Sequence, residues 1–359
     1  MYAHLRKLDW SLIIIVLLLS GVGLFTIYGI GSPESLVFFK KQILFLGFGL
    51  LLMFGLSFFD YRVFKNYSSV LLILYLFSFF SLFFVLSSQE IRGATSWFRL
   101  GSLSFEPIEF IKIVIILLLA KYFSFRHIEM YRIRHLIVSG IYIGLPASII
   151  ILQPDFGSIL VLFSIWLGLV MVAGIKLRHL FILSLIMILL FAGGWSVFLK
   201  DYQKQRILTF LNPQEDPFGQ GYHISQSLIA IGSGGWFGQG LGASSQVGLK
   251  FLPEQHTDFI FATLAEQRGL AGVLFLLALF ALLFWRLIKI ALLSLNNFSR
   301  LFAAGLTIMI FSQLIINIGM NMALLPITGL TLPLISYGGS SLISIFLGLG
   351  ILQSIKARS

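Results

Sequence analysis

Asp258 stands directly before the apolar stretch that begins at Phe259, a position that suits acid–base chemistry. A carboxylate at the edge of an apolar region is partly desolvated, which strengthens its hold on a proton and makes it a better general base. Asp is also a preferred residue at the N-cap of a helix, so Asp258 could instead begin the helix that follows it. Position alone leaves the catalytic and the capping interpretations equally open.

Glu109 and Lys112 form a second candidate group. They are three residues apart, so on a helix they share one face and can pair. Ionisable groups inside a membrane segment are costly and usually functional, which favours a polar cavity lined by this pair. A self-neutralising pair that fixes helix packing is the alternative, and the two interpretations are compatible.

Asp155 lies in the turn Gln153-Pro154-Asp155-Phe156-Gly157, close to an apolar boundary. Its side chain could cap the helix that follows or pair with Lys112. We expect a structural role for Asp155 near the cavity.

Two features of the long segment 199–261 could bind an anionic group. Lys204 and Arg206 could hold a phosphate or anchor lipid headgroups. The glycine-rich run 232–242 could cradle a phosphate through backbone N–H groups. It lacks the Gly-Lys-Ser/Thr ending of a P-loop, which favours a tight re-entrant turn at the membrane surface.

Zinc and nucleotide-sugar chemistry are disfavoured. The chain contains no Cys, and His223 and His256 do not form a His-Glu-x-x-His motif. No Asp-x-Asp pair of the kind that often holds a metal and a nucleotide sugar occurs.

The elements that must position these residues are membrane helices. Of the 359 residues, 58% are hydrophobic and only 11% are charged, against about 25% charged in an average soluble domain. Apolar runs of about 20 residues recur along the whole chain, which indicates a polytopic all-α membrane protein. We predict ten spans, at residues 10–31, 38–59, 67–87, 107–124, 135–153, 156–174, 179–198, 262–285, 300–322 and 331–353.

The net charge of +11 follows this topology. With both termini in the cytoplasm, the cytoplasmic segments hold fifteen of the 25 basic residues and three acids, a balance of +12, which leaves −1 for the rest of the chain. This is the positive-inside pattern. Membrane topology therefore explains the basic composition better than nucleic-acid binding does.

The chain is expected to form a single integral membrane domain over residues 1–359, with residues 199–261 as a large extracytoplasmic loop between the seventh and eighth spans. Long loops often carry function. Residues 88–106 are expected at the membrane interface. Pro326 and Pro333 bracket a broken segment, and most polar groups around it, such as Asn317 and Asn321, are expected to serve helix packing.

Taken together, the motifs resemble those of the SEDS family, named for shape, elongation, division and sporulation, over essentially the whole chain. The motifs that carry the resemblance are Trp97 with Phe105 through Lys112, residues 153–157, Arg206 through Pro213, Tyr222 through Ser227, Leu252 through Phe261, and Pro326 through Ser340. Family members often have Gln-Pro-Ser-Glu where this chain has Glu106-Pro107-Ile108-Glu109, while Glu109 and Lys112 match.

The resemblance implies a peptidoglycan glycosyltransferase that polymerises lipid II outside the bacterial cytoplasmic membrane, in complex with a class B penicillin-binding protein. The matching position makes Asp258 the catalytic carboxylate. Arg206 and Lys204, with Lys112 or Arg99, would meet the charge of the lipid diphosphate, and a divalent cation such as Mg²⁺ or Mn²⁺ could assist. The remaining candidates for the substrate cavity are Glu109, Asp155, Trp97, His256, Gln226 and Ser340.

Two other functions fit a polar cavity at membrane depth. A transporter that flips lipid II across the membrane would also use Glu109, Lys112 and Asp155. A non-catalytic scaffold for the transpeptidase would need the cavity only for packing. A carboxylate placed like Asp258 favours the enzyme over both.

Overall fold

The computed structural model describes residues 2–87, 97–100, 103–126, 133–175, 178–179, 204, 208–210, 212, 216, 219–241, 251–252 and 254–358. Within these residues the chain forms twelve helices of four residues or more and one short hairpin. The helices are α1 (Tyr2–Leu5), α2 (Trp10–Tyr28), α3 (Pro33–Phe58), α4 (Arg62–Asn66), α5 (Ser68–Val85), α6 (Pro107–Arg126), α7 (Ile133–Leu152), α8 (Phe156–Val172), α9 (Gln220–Ser233), α10 (Ile260–Leu293), α11 (Asn297–Asn321) and α12 (Gly339–Ala357).

Seven of these helices are long and apolar enough to cross a membrane: α2, α3, α5, α7, α10, α11 and α12. The apolar helix α8 is shorter. In α6, four charged residues, Glu109, Lys112, Lys121 and Arg126, reduce the hydropathy. Nine of the ten predicted spans thus overlap helices, whereas the predicted span 179–198 lies almost wholly outside the described residues.

The prediction for the last span is wrong at its beginning. The apolar pattern predicts a start at residue 331, but α12 begins only at Gly339. The chain between α11 and α12 is non-helical, as expected for the segment bracketed by Pro326 and Pro333, because proline lacks the N–H that a helix interior needs. We call residues 322–338 the broken segment.

The all-α prediction also missed a short hairpin. Strand β1 (Phe98–Leu100) pairs antiparallel with β2 (Leu103–Phe105), with Phe98 opposite Phe105. The hairpin leads directly into α6, so it fixes the approach of the chain to Glu106 and Glu109.

Close helix packing in the core depends on small residues. The mostly buried helix α12 packs along α3, where Gly49 lies against Phe346 and Gly350 lies against Met53. A β-carbon at either glycine would meet these neighbours at 3.0 Å or less. Glycine therefore allows the two helices to approach closely, as small residues do in membrane bundles.

A network of polar groups ties the beginning of the chain to its end. Asp9 caps α2 by accepting from the N–H of Leu12, and it pairs with Arg286 of α10 at 3.0 Å. The amide of Gln353 accepts from the N–H of Asp9 and donates to its carbonyl. We call this end of the bundle the terminal end.

The glycine-rich run packs against a break in α10. Gly269 has φ 63° and interrupts the helix, and the N–H groups of Leu270 and Ala271 donate to the carbonyls of Gly235 and Trp236. In return, the N–H groups of Gln239 and Gly240 donate to the carbonyls of Glu266 and Gln267. The tight turn is confirmed. Its N–H groups at 239 and 240 are occupied by the protein's own carbonyls, which disfavours a phosphate cradle.

Candidate functional site

Asp258 lies in a turn over residues 254–259 that leads into α10. The N-cap of α10 is Phe259, which makes no side-chain capping bond, so the capping interpretation of Asp258 is wrong. The backbone carbonyl of Asp258 instead accepts from the side-chain amides of Asn317, at 3.1 Å, and Asn321, at 3.0 Å. The aspartate is thus fixed by its backbone to α11.

The side chain of Asp258 lies beside the broken segment. Gly329 has φ 76°, and a β-carbon built on it would lie 3.7 Å from Oδ2 of Asp258. The broken segment also binds the turn itself. Ser336 donates its hydroxyl to the carbonyl of Thr257 at 2.6 Å, and the N–H of Tyr337 donates to the carbonyl of His256 at 2.8 Å.

His256 lies in an aromatic stack rather than in a ligand set. Its ring lies 4.0 Å from the ring of Phe38 and nearly parallel to it, and 5.8 Å from the ring of Tyr337. This places α3 against the turn of Asp258.

Glu106 stands directly before α6 and bonds to the beginning of α12. Its N–H donates to the hydroxyl of Ser340, the second residue of α12, at 2.9 Å. Burial raises the pKa of Glu106 well above its usual range, and so do the nearby carboxylates of Glu109, Asp155 and Asp258, whereas Lys112 opposes them. Because each of these charges acts on Glu106, all five side chains lie near one end of the bundle. We call this end the site end.

Glu109 and Lys112 pair as predicted. The Lys112 ammonium donates to Oε1 of Glu109 at 2.6 Å, and the two residues are 0% and 4% exposed. Oε2 of Glu109 is buried and has no hydrogen-bond partner among the described residues. The pair therefore retains one acceptor that its internal contact does not use.

Asp155 caps α8 as expected, since its carboxylate accepts from the N–H of Ser158 at 3.0 Å. Burial raises its pKa, while the bonds from Ser158 and the charge of Lys112 oppose the rise. The next residue but one, Gly157, contacts Thr328 and Leu330 of the broken segment. Asp155 therefore combines a structural role with a place at the site end.

Other predicted residues are not joined to this group by the described contacts. Gln226 lies on α9 with a buried Oε1 that has no partner in the described part of the chain. Trp97 is half-buried before β1, and Lys204 is half-buried between α8 and α9 in the chain. Arg206 and the side chain of Arg99 lie outside what the structure describes.

Sequence reasoning missed the roles of Glu106, Asn317 and Asn321. The sequence predicts a packing role for the two asparagines, but both donate to the backbone carbonyl of Asp258. The available signal was their spacing of four, which places two buried amides on one helix face.

The described residues do not fit a divalent-cation site. They contain no cluster of three or more His, Asp or Glu side chains with metal-ligand geometry, although four carboxylates lie near the site end. A cation such as Mg²⁺ needs several oxygen ligands around it.

Comparisons with known proteins identify the family. Residues 8–359 match the FtsW/RodA/SpoVE family, described as cell cycle proteins. The chain belongs to the SEDS family. It is accordingly a multi-pass protein of the bacterial cytoplasmic membrane.

Two relatives and one solved structure illustrate the SEDS likeness. Stage V sporulation protein E of Bacillus subtilis is 38% identical, over 98% of this chain and 97% of the relative. Peptidoglycan glycosyltransferase MrdB of Escherichia coli is 35% identical, over 98% and 94%. A chain solved in a peptidoglycan synthase complex that coordinates polymerization and crosslinking has a TM-score of 0.84 and 36% identity, over 98% of both chains.

Proposed function

We propose that this SEDS protein is a peptidoglycan glycosyltransferase that polymerises lipid II into β-1,4 glycan strands, with Asp258 as the general base. The observation that carries the proposal is the placement of Asp258. It lies in a turn outside the helix cap, beside a glycine backbone and near Glu106, at the end of the bundle that also holds the buried Glu109–Lys112 pair.

One displacement is enough for this reaction. The donor sugar is α-linked to a lipid diphosphate and the product linkage is β, so the configuration inverts once. Asp258 accepts the proton of the acceptor's 4-hydroxyl as that oxygen bonds to the donor's anomeric carbon. The bond from the anomeric carbon to the phosphate oxygen breaks, and undecaprenyl diphosphate leaves with its electrons.

The leaving diphosphate needs positive charge more than it needs a general acid. Lys112 is the described cation close to the site end, and its ammonium lies in a dry environment where charge interactions are strong. Lys204 and Arg206 complete the proposed set of cations, and Trp97, His256, Gln226 and Ser340 the proposed substrate surroundings.

The positive-inside pattern supports a terminal end in the cytoplasm and a site end outside. An outer active site matches a lipid-anchored substrate.

We propose a class B penicillin-binding protein as the partner that crosslinks the strands, and elongation and cell shape as the process. Depletion that produces rounded cells would support this role, whereas filamentous cells would assign the protein to division.

Polymerisation by purified protein tests the activity. With lipid II in detergent, we expect glycan chains from the native protein, and a loss of about 10²–10⁴-fold for Asp258→Asn, the range that a general base contributes. Asp60→Asn is the matched control, because it makes the same change at the terminal end. Native-like polymerisation by Asp258→Asn would show that Asp258 is not the base.

A lipid II flippase is the second candidate, favoured by the buried Glu109–Lys112 pair. Detergent removes the two sides of the membrane, so polymer formed there supports the enzyme directly. Scrambling of labelled lipid II in vesicles, with no polymer from the protein alone or with its partner, would support transport. The absence of both polymerisation and transport would support a scaffold.

A further inference from the structure

The first turn of α10 is interrupted by a side chain from another helix. In a regular helix the carbonyl of residue i accepts from the N–H of residue i+4, so the carbonyl of Asp258 would pair with the N–H of Ala262. Here the N–H of Ala262 donates to Oδ1 of Asn321 at 3.2 Å, and Nδ2 of Asn321 donates to the carbonyl of Asp258 at 3.0 Å. The amide of Asn321 thus stands between the two backbone groups and satisfies both.

The next backbone bond is regular. The N–H of Thr263 donates to the carbonyl of Phe259 at 3.0 Å, so Phe259 is the N-cap. The helix therefore begins one residue later than it would with Asp258 as the N-cap. An amide can do this because it carries a donor and an acceptor together.

Asn317 reinforces the arrangement from one turn earlier on α11. Its Nδ2 donates to the carbonyls of Asp258, at 3.1 Å, and Leu330, at 2.7 Å. Asn321 also donates to the backbone carbonyl of Asn317 at 2.8 Å. Both asparagines are 0% exposed, so loss of either amide would leave buried backbone groups without partners.

Two other aspartates show what this arrangement prevents. Asp9 and Asp155 also stand before apolar helices, and each caps its helix by accepting from an N–H three residues on, at 3.0 Å. Capping bonds stabilise the charged carboxylate and so weaken it as a base. Asp258 stands at the same kind of position, yet the N-cap of α10 is Phe259, whose side chain makes no capping bond.

We propose that Asn321, supported by Asn317, is a positioning residue for the transfer reaction. Its amide takes the helix-starting bond away from Asp258, so that the carboxylate faces Gly329 and the site end instead of the N–H groups of α10. The inference rests on the proposed function, in which Asp258 is the base.

Other titratable groups near Asp258 remain in place when Asn321 changes. They are Glu254 and His256 in the same turn, Tyr337 in the broken segment, His223 on α9, and the site-end residues Glu106, Glu109, Lys112 and Asp155. The effect of Asn321 is therefore measured as the difference between the pH profiles of the native protein and the variant.

The decisive experiment measures the pH dependence of lipid II polymerisation by Asn321→Leu. Without the amide, Asp258 can join the helix and cap it, so its carboxylate becomes a weaker base. We expect kcat to fall about tenfold to a hundredfold with little change in KM, as for a misplaced catalytic group. The acidic limb of the pH profile should move about one unit lower.

Ser312→Ala is the matched control. Ser312 is a buried polar residue of the same helix, and its hydroxyl bonds only to the carbonyl of Met309 among the described residues. This variant should keep the native pH profile. If Asn321→Leu does not fold, Asn321→Ala gives the same comparison without added apolar bulk.

The outcomes separate the two levels of inference. Native protein that makes no polymer contradicts the proposed function, and the positioning role falls with it. If the native protein polymerises lipid II but the Asn321 variants lose activity with an unmoved acidic limb, Asn321 is only structural and the positioning role is wrong. A lowered limb with reduced kcat supports it.

Discussion

The terminal end and the site end use the same residue types for opposite purposes. At the terminal end, Asp9 caps α2, pairs with Arg286 and is bonded through its N–H to Gln353. Its charge therefore serves to join helix ends. At the site end, Asp258 precedes a helix without capping it, and its neighbours Glu106, Glu109 and Asp155 are also acidic. Departures from local structural rules concentrate where function is expected.

Backbone conformation follows the same division. Glu254 (φ 46°), Ala323 (φ 54°) and Leu334 (φ 65°) occupy the left-handed region, which is costly for residues other than glycine. Glu254 belongs to the turn of Asp258, and the other two belong to the broken segment. The packing at this end therefore holds strained backbone in place around the candidate base.

The largest effect on stability is expected for Lys112→Met. This change leaves Glu109 as a buried charge without its partner, which costs about 3–5 kcal/mol. Polymerisation should be lost as well, because the cation near the diphosphate is gone. Unfolding in mixed micelles and the lipid II assay measure the two losses, and a stable, active variant would remove the pair from the proposed mechanism.

A smaller effect is expected for Arg286→Met at the terminal end. Asp9 keeps its bond to the N–H of Leu12 but loses a charged partner, which should lower the free energy of unfolding by about 1.5–3 kcal/mol. The folded variant should retain its kcat, because the pair lies far from Asp258 along α10. A reduced kcat in folded protein would contradict the division between the two ends.

The smallest effect concerns the pH dependence of stability. The folded pKa of Glu106 lies above its unfolded value of about 4.3, so its contribution to stability is fully present below that value and is lost as pH rises through the folded pKa. Glu106→Gln should therefore flatten the fall in melting temperature that begins as pH rises above this unfolded value. An unchanged slope would show that Glu106 does not sense its acidic neighbours.

The sequence predicted what depends on local pattern. Hydropathy located nine helices near their observed positions, the spacing of Glu109 and Lys112 predicted their pairing, and the turn at Asp155 predicted its cap. Each of these features is decided within a few residues of chain.

The sequence did not predict what depends on distant partners. Asp258 has the local pattern of an N-cap, but its backbone carbonyl accepts from Asn317 and from Asn321, which is 63 residues later in the chain. The bond from Glu106 to Ser340 spans 234 residues. Helix starts and side-chain orientation at the site end are therefore properties of the packed bundle rather than of any single motif.

Four main-chain hydrogen bonds join the glycine-rich run to the break at Gly269. Because main-chain bonds are the same for any side chain, the outward residues of the run can change while the junction stays intact. Trp236 and Phe237, which are 70% and 84% exposed, point away from it. Single substitutions at these outward positions can therefore change the chemistry of this surface. A single inserted or deleted residue would instead shift the register of the main-chain bonds and break the junction.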